Sequence, residues 1–292
     1  MNVPAQAEPV RQGNLNWINL RGLVVLHTLA GVAIWYLIAV QFHWATIGLT
    51  FAWYWLTGIS ITAGYHRAFS HRAYEVSAPL RWFFLIFGAG ALQTSLLQWS
   101  VDHRNHHRFA DKEGDPYSVC SGFWWAHVGW VLRNRHGYED PPLDSVTDLA
   151  ALPGVKFQHK FYDAIAIFIA FVVPAGLASL WGDFWGGLLV AGALRALLLL
   201  HATWCVNSVA HWFGTQPYSK RGSARNSVIT ALITGGEGYH NFHHKFPSDY
   251  RNGIRWYQYD PTKWFIWGLH KLGLAHDLTR TPDRLIASVD GI

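Results

Sequence analysis

Four apolar segments, arranged as two close pairs, constrain this chain more than any other feature. Leu23 to Val40 and Ala45 to Ala63 are separated only by Gln41-Phe42-His43-Trp44. Ala164 to Leu180 and Gly187 to Trp204 are separated only by Trp181-Gly182-Asp183-Phe184-Trp185-Gly186. Each is close to the roughly 20 helical residues that cross about 30 Å of hydrocarbon. None shows a polar face at helical spacing, which argues against two hairpins buried in a soluble core. Composition agrees, since only 14% of the 292 residues are charged, against about 25% in average soluble domains. Seventeen tryptophans suit a molecule with much surface at headgroup level. Residues 1 to 16 are polar and carry Pro4 and Pro9, so no secretory signal is expected there. Cys120 and Cys205 fit no disulfide framework or thiolate metal site and are read as unbridged.

Charge sets the orientation. Of 23 Lys and Arg, none lies in either short turn, and only Arg195 lies inside a segment. By the positive-inside bias the N-terminal, central and C-terminal stretches are cytoplasmic. The expected fold is all-α and membrane-integral, with four transmembrane helices in two hairpins, roughly 23–40, 45–63, 164–180 and 187–204. A cytoplasmic helical cap is expected from 64–163 and 205–292, the whole of 1–292 forming one domain with both termini cytoplasmic. Leu80 to Leu97 carries Arg81, Gln93, Thr94 and Ser95, and reads as a helix lying along or dipping into the cytoplasmic face. Residues 141–163, with Pro141, Pro142 and Pro153, read as the connection into the second pair. Arg195 is costly at membrane depth and should face protein.

Seventeen histidines need their own cause, and eight of them cluster. His66 and His71 follow the second segment, His103-Arg104-Asn105-His106-His107 lies in the central stretch, and His240-Asn241-Phe242-His243-His244 in the last. The last two share the pattern H-x-x-H-H. At this chain's own His frequency of 17 in 292, chance supplies roughly 0.06 such patterns. On a helix, positions i, i+3 and i+4 share a face, so each pattern aims three imidazoles into one region. The i, i+5 spacing of His66 and His71 turns them by about 140° on an α-helix, which suits two different ions. Neutral imidazoles with few carboxylates nearby favour a borderline transition metal over Ca or Mg, and leave iron, zinc and copper open. His27, His43, His127, His136, His159, His270 and His276 read as ordinary core or interface histidines.

These boxes, in this order and separation, resemble the membrane-bound fatty acid desaturases of the stearoyl/acyl-CoA Δ9 type, over about residues 20 to 275. The resemblance extends to Asp102, Asp115-Pro116, His127-Val128-Gly129-Trp130, Leu194-Arg195, Thr203-Trp204, Asn207-Ser208 and His211. It continues through Phe246-Pro247-Ser248-Asp249-Tyr250-Arg251 and Tyr259-Asp260-Pro261-Thr262-Lys263. It implies a histidine-rich diiron site in the cap. One iron would take His66, His103, His107 and His243, with Asn207 acting through a water. The other would take His71, His106, His211, His240 and His244. His201, where animal members often carry Asn, is not counted as a ligand. Gln93, Trp99, Asp102, Thr203 and Trp204 are the implied substrate-binding residues, with Gln93, Trp99, Thr203 and Trp204 at a bend in an acyl tunnel. The implied activity is O2-dependent introduction of a cis double bond at Δ9, with O2 as co-substrate and no catalytic side chain beyond the metal site.

Two departures concern the head group. Val101 stands before Asp102 where animal members carry Arg, and Tyr117 to Gly122 replaces a stretch with an Arg pair. Arginine suits the phosphates of CoA, so lipid-linked and carrier-protein-linked acyl chains stay beside acyl-CoA, which ranks first. Arg133 and Arg135 remain as sources of charge. No haem motif or cysteine cluster occurs in the sequence, so electrons are expected from a separate donor, a ferredoxin or a cytochrome b5-like carrier. The remaining expected partners are the fatty acyl thioester or lipid-linked substrate and membrane lipid, without nucleic acid. The expected location is a bacterial plasma membrane. Rival readings are a related diiron membrane hydroxylase or acetylenase and, from another class, a membrane metal transporter or sensor, which would place ligands near the bilayer midplane.

Overall fold

The computed structural model describes residues 12–135 and 143–289. His136, Pro141, Pro142 and most of the polar N-terminal stretch lie outside the described residues, as does the side chain of Arg135. Helices dominate. Helix α1 (Trp17–Ala39) starts at Asn16, whose side chain accepts from the Asn19 backbone N–H, and carries apolar residues all round as a lipid-facing helix must. Helix α2 (Trp44–Ile59) runs without a break into Ser60–Ser70, which winds as a π-helix. Helices α3 (Ala78–Ala89) and α4 (Leu96–Phe109) follow. Helix α5 (Tyr162–Ser179) and helix α6 (Phe184–Trp212) form the second pair. Short helices α7 (Val228–Thr234) and α8 (His240–Lys245) and then α9 (Pro261–Lys271) complete the cap. Two small antiparallel strand pairs tie distant parts together, Gln12–Leu15 with Arg133–Arg135 and Glu75–Val76 with Ala275–His276.

Three helices among the described residues are long and apolar enough to span a bilayer: α1, α5 and α6. The chain is thus an integral membrane protein, but the expected span at 45–63 stands apart. It is helical throughout, yet Trp53, Tyr54, Trp55, Thr57 and Gly58 dilute its hydropathy, and its C-terminal half turns inward. The helix of the fourth expected span continues past Trp204 to Trp212 and carries Asn207 and His211. Continuing the helix costs less than exposing backbone polar groups at the bilayer edge.

The expected single helix over Leu80 to Leu97 is broken. Leu92 and Thr94 adopt φ of 59° and 72°, the left-handed region that non-glycine residues rarely enter. Three anchors hold the break: Arg195 Nη1 donates to Gly90 O at 2.9 Å, Thr94 N to Tyr162 Oη at 3.0 Å, and Leu96 N to Gln158 Oε1 at 3.1 Å. Arg195 does face protein, also donating to Ala170 O and Ala191 O. Strain held in this way is commonly found beside functional sites, and here it presents Gln93. Cys120 and Cys205 are free thiols, as expected.

Candidate metal centre and acyl cavity

The first box sits on the π-helix, and that winding corrects the expected separation of its two histidines. His71 N donates to His66 O at 3.1 Å, an i→i+5 bond. In such a turn residue i+5 stands over residue i rather than being rotated away from it. The rings of His66 and His71 are consequently 4.9 Å apart. The second and third boxes lie on α4 and α8 and behave as the i, i+3, i+4 argument requires.

Nine imidazoles converge in two groups, His66, His71, His103, His107 and His243, and His106, His211, His240 and His244, with ligand atoms in each within 4.8 Å of one another. The partition implied by resemblance placed His71 with the second group, and the structure places it with the first, its Nε2 2.7 Å from His103 Nε2. All the other implied histidines fall as assigned.

The donor chemistry fits a metal ion. His243 Nε2 lies 3.0 Å from His66 Nε2 and 2.9 Å from His107 Nε2. His244 Nε2 lies 3.2 Å from His106 Nε2 and 3.0 Å from His240 Nε2. A neutral imidazole has one N–H, and in several of these rings it is committed on the far side. His66 Nδ1 donates to Glu237 Oε2 at 2.8 Å, His106 Nδ1 to Asp115 Oδ1 at 2.8 Å, and His211 Nδ1 to Ser223 Oγ at 2.6 Å. That pattern fixes the tautomer and aims a lone pair inward, as metal-ligating histidines do. His211 Nε2 is buried with no hydrogen-bond partner. Burial first, then the charge of neighbouring imidazoles, pushes His71, His103, His107, His240, His243 and His244 well below the ordinary histidine range. They are therefore neutral at pH 7 and able to ligate. Burial opposes ionisation of Glu237, but His66 and Arg67 outweigh it and bring its carboxyl down to about 2.

A cavity of about 480 Å³ opens on this centre, and its wall includes His66, His103, His106 and His240 together with Gln93, Trp99, Asp102, Thr203, Trp204 and Asn207. Every substrate-binding candidate therefore meets at one surface. Three are bonded to each other: Gln93 Nε2 donates to Thr203 Oγ1 at 2.8 Å, and Trp99 Nε1 to Gln93 Oε1 at 3.3 Å. Trp99 in turn stacks on His103 with ring centroids 4.8 Å apart. One stretch of wall is polar and basic, formed by Asn16, Asn19, Arg133 and Asn134, and another is apolar, with Tyr54, Trp55, Gly58, Ile59, Leu199 and Ile233.

Sequence reasoning did not single out Glu237, Asp111 or Ser223. Ser223 Oγ donates to Asp111 Oδ1 and Ser223 N to Asp111 Oδ2, so a carboxylate stands behind His211 at one remove. A carboxylate three residues before the third box was the only local signal for Glu237. Nothing local pointed to Asp111 and Ser223, which are 112 residues apart.

A membrane helical protein with polyhistidine metal-binding groups opening on an apolar cavity is the class defined by this fold and site. The fatty acid desaturase family model matches residues 42–277, and the chain belongs to that family. It is 46% identical over 278 residues to a probable acyl-CoA desaturase of Schizosaccharomyces pombe, covering 94% of this chain and 56% of the relative. It is 42% identical to acyl-CoA desaturase 1 of Saccharomyces cerevisiae, covering 91% of this chain and 52% of the relative. With stearoyl-CoA desaturase 5 of Bos taurus it shares 39% identity, covering 82% of this chain and 73% of the relative. The chain thus spans about half the length of the two fungal relatives.

Proposed function

We propose that this protein is an O2-dependent fatty acyl desaturase that places a cis double bond at Δ9 in a saturated acyl chain, with acyl-CoA as carrier. The convergence of nine imidazoles, four of them on the wall of an apolar cavity, carries this reading. The relatives named as acyl-CoA and stearoyl-CoA desaturases support its carrier. The proposed ligands are His66, His71, His103, His106, His107, His211, His240, His243 and His244, with Asn207 reaching one metal through a water. Two bound irons would supply the O2-derived oxidant that an unactivated methylene requires and that no side chain provides.

The chain's own residues do the positioning. The Trp99–Gln93–Thr203 bridge, held by the strained Leu92 to Thr94 turn, shapes the cavity wall beside His103 and favours a bent acyl chain over a straight one. Burial keeps His71, His103, His107, His240, His243 and His244 unprotonated, and the apolar wall excludes water from the reacting carbons. Arg133 on the polar stretch of wall suits the phosphates of the carrier. The proposed topology keeps four spans, with α2 as the second, both termini cytoplasmic and the chain acting as one domain. The relatives named above are eukaryotic, so no host membrane is assigned.

The proposed electron donor is a separate acidic one-electron carrier. His107 and His244 stack at 4.3 Å on the half-buried edge of the centre, beside exposed Arg108 and Lys245. Lys245→Glu should raise the donor's KM without changing metal content.

Expression in a bacterium lacking an aerobic desaturase, followed by mass spectrometry with double-bond localisation, tests the reaction. A cis-Δ9 monoene is expected, and hydroxylated or acetylenic products would overturn the reading. Assays of purified protein with acyl-CoA and with acyl-carrier protein then decide the carrier.

A further inference from the structure

Three imidazoles outside the metal centre form a hydrogen-bonded chain. His27 Nδ1 lies 2.7 Å from Leu23 O, and His27 Nε2 lies 3.3 Å from His201 Nε2. His201 Nδ1 lies 3.0 Å from His127 Nε2, and His127 Nδ1 lies 3.0 Å from Ser208 Oγ. Ser208 Oγ ends the chain 2.9 Å from Trp204 O.

The hydrogens can be counted. Both ends are backbone carbonyls, which only accept. The five contacts need five hydrogens, while three neutral imidazoles and one hydroxyl bring four. If Ser208 donates to Trp204 O, His127 Nδ1 must donate to Ser208, and His201 Nδ1 must donate to His127 Nε2. His27 Nδ1 is committed to Leu23 O. The two Nε2 atoms of His27 and His201 then face each other with lone pairs, and a cation between them completes the chain. Two ligands suffice for a proton, whereas a metal ion takes three or four. The contact left without a hydrogen is the one between His27 and His201, so the added charge belongs there.

We propose that His27, His201, His127 and Ser208 hold one excess proton in the apolar layer and pass it to the cavity wall. Histidines inside membrane helices are rare and tend to mark proton paths. His27 and His201 lie within α1 and α6, and the inner end of the chain stops next to that wall: Ser208 Oγ bonds Trp204 O and Ser208 adjoins Asn207, and Trp204 and Asn207 both line the cavity. The delivery role rests on the desaturase reading, in which reduction of one O2 to two waters takes two hydrogens from the acyl chain, two electrons from the donor and two protons from solvent. Only N–H and O–H bonds change along the chain. The proton shared by His27 and His201 settles on His201, His201 Nδ1–H passes to His127, His127 Nδ1–H passes to Ser208, and the Ser208 hydroxyl turns its own proton to the cavity. The other ionisable groups on the packed elements are Arg21 and Tyr36 on α1 and Arg195, Cys205 and His211 on α6. His127 is the one such group in Trp125–Gly129.

Two measurements test this. Nitrogen NMR of the histidine-labelled, metal-loaded protein in nanodiscs should show an imidazolium signal at pH 7 that is lost in both His27→Gln and His201→Asn. Its absence from the wild type, or its survival in both variants, would overturn the proton store. This arm needs no turnover, so it stands or falls apart from the desaturase reading. In turnover, His201→Asn should lose coupling as pH rises, releasing peroxide where the wild type releases water, with KM for the acyl substrate unchanged. Retained coupling across the pH range would overturn the delivery role. Unchanged metal content in the variants separates either result from misfolding.

Discussion

The two histidine groups differ in what stands behind them. The first has five imidazoles, and its carboxylate, Glu237, is shared with a cation: Glu237 Oε1 accepts from Arg67 Nη2 at 2.9 Å while Oε2 takes His66. Arg104 and Arg67 also bring positive charge to bear on His71. The second has four imidazoles and two carboxylates. Among the described residues Asp115 accepts from His106 and from the backbone N–H groups of Asp111 and Tyr117. Asp111 reaches His211 through Ser223, Arg225 brings positive charge to bear on His211, and neither carboxylate forms an ion pair with Arg or Lys among the described residues. One group thus offers more nitrogen ligands, and the other less neutralised negative charge. A dication in a low-dielectric site responds strongly to that charge, so the second group should hold its metal more tightly.

The most severe break is His106→Ala, which removes a ligand from the charge-backed group and is expected to abolish product. Fatty acid analysis near the wild-type profile would refute its assignment. Next come the carboxylates. Asp115→Asn and Glu237→Gln should each weaken metal binding by about 10–100-fold, with Asp115→Asn the larger effect because no arginine already offsets that charge. Metal content after graded chelation measures this, and equal losses would remove the distinction.

Acid sharpens the comparison further. The buried imidazoles have folded pKa values below their unfolded value of about 6.5, so below that value the unfolded chain binds more protons. Stability and metal retention should therefore fall as pH drops below about 6.5. The group with five imidazoles should empty first. Glu237, held down to about 2, contributes stability above its unfolded value of 4.5, and that contribution is lost as pH falls from there through about 2. Metal content and thermal unfolding between pH 4 and 8 check the first window.

Gly58→Leu should act on neither group but on the cavity. A Cβ at Gly58 would meet Leu199 Cδ1 at 3.3 Å, so a larger side chain should shift products toward shorter acyl chains with metal content unchanged. Arg72→Ala is the smallest change. Arg72 is 65% exposed where it pairs with Asp148, and its loss should cost no more than about 1 kcal/mol and leave metal content intact.

How much of this was legible depended on whether local spacing carried the geometry. His103, His106 and His107 on α4, and His240, His243 and His244 on α8, were legible because α-helical periodicity converts i, i+3, i+4 into a shared face. His66 and His71 were legible as ligands but not in their mutual orientation, since spacing alone does not reveal that this helix winds with i→i+5 bonds. The break at Leu92 to Thr94 was hidden for another reason. Neither residue favours a left-handed turn, and what holds it there comes from Tyr162, Gln158 and Arg195. The place of His201 in a second histidine chain emerged only when α1, α6 and the Trp125–Gly129 segment were packed together.

The sequence by itself determined that the chain enters a membrane, that its histidines cluster as a candidate metal-binding set, and five of the residues that line the cavity. These follow from composition, helical periodicity and motif resemblance, all carried by residues near one another in the chain or matched one by one. Only the tertiary structure decided which imidazoles share a centre, which carboxylates orient them, and where strain presents Gln93. Several of those are contacts between residues more than a hundred positions apart, such as Glu237 with His66 or Ser223 with Asp111. Such contacts follow from how buried charge and packed helices find partners in three dimensions, which no local pattern encodes.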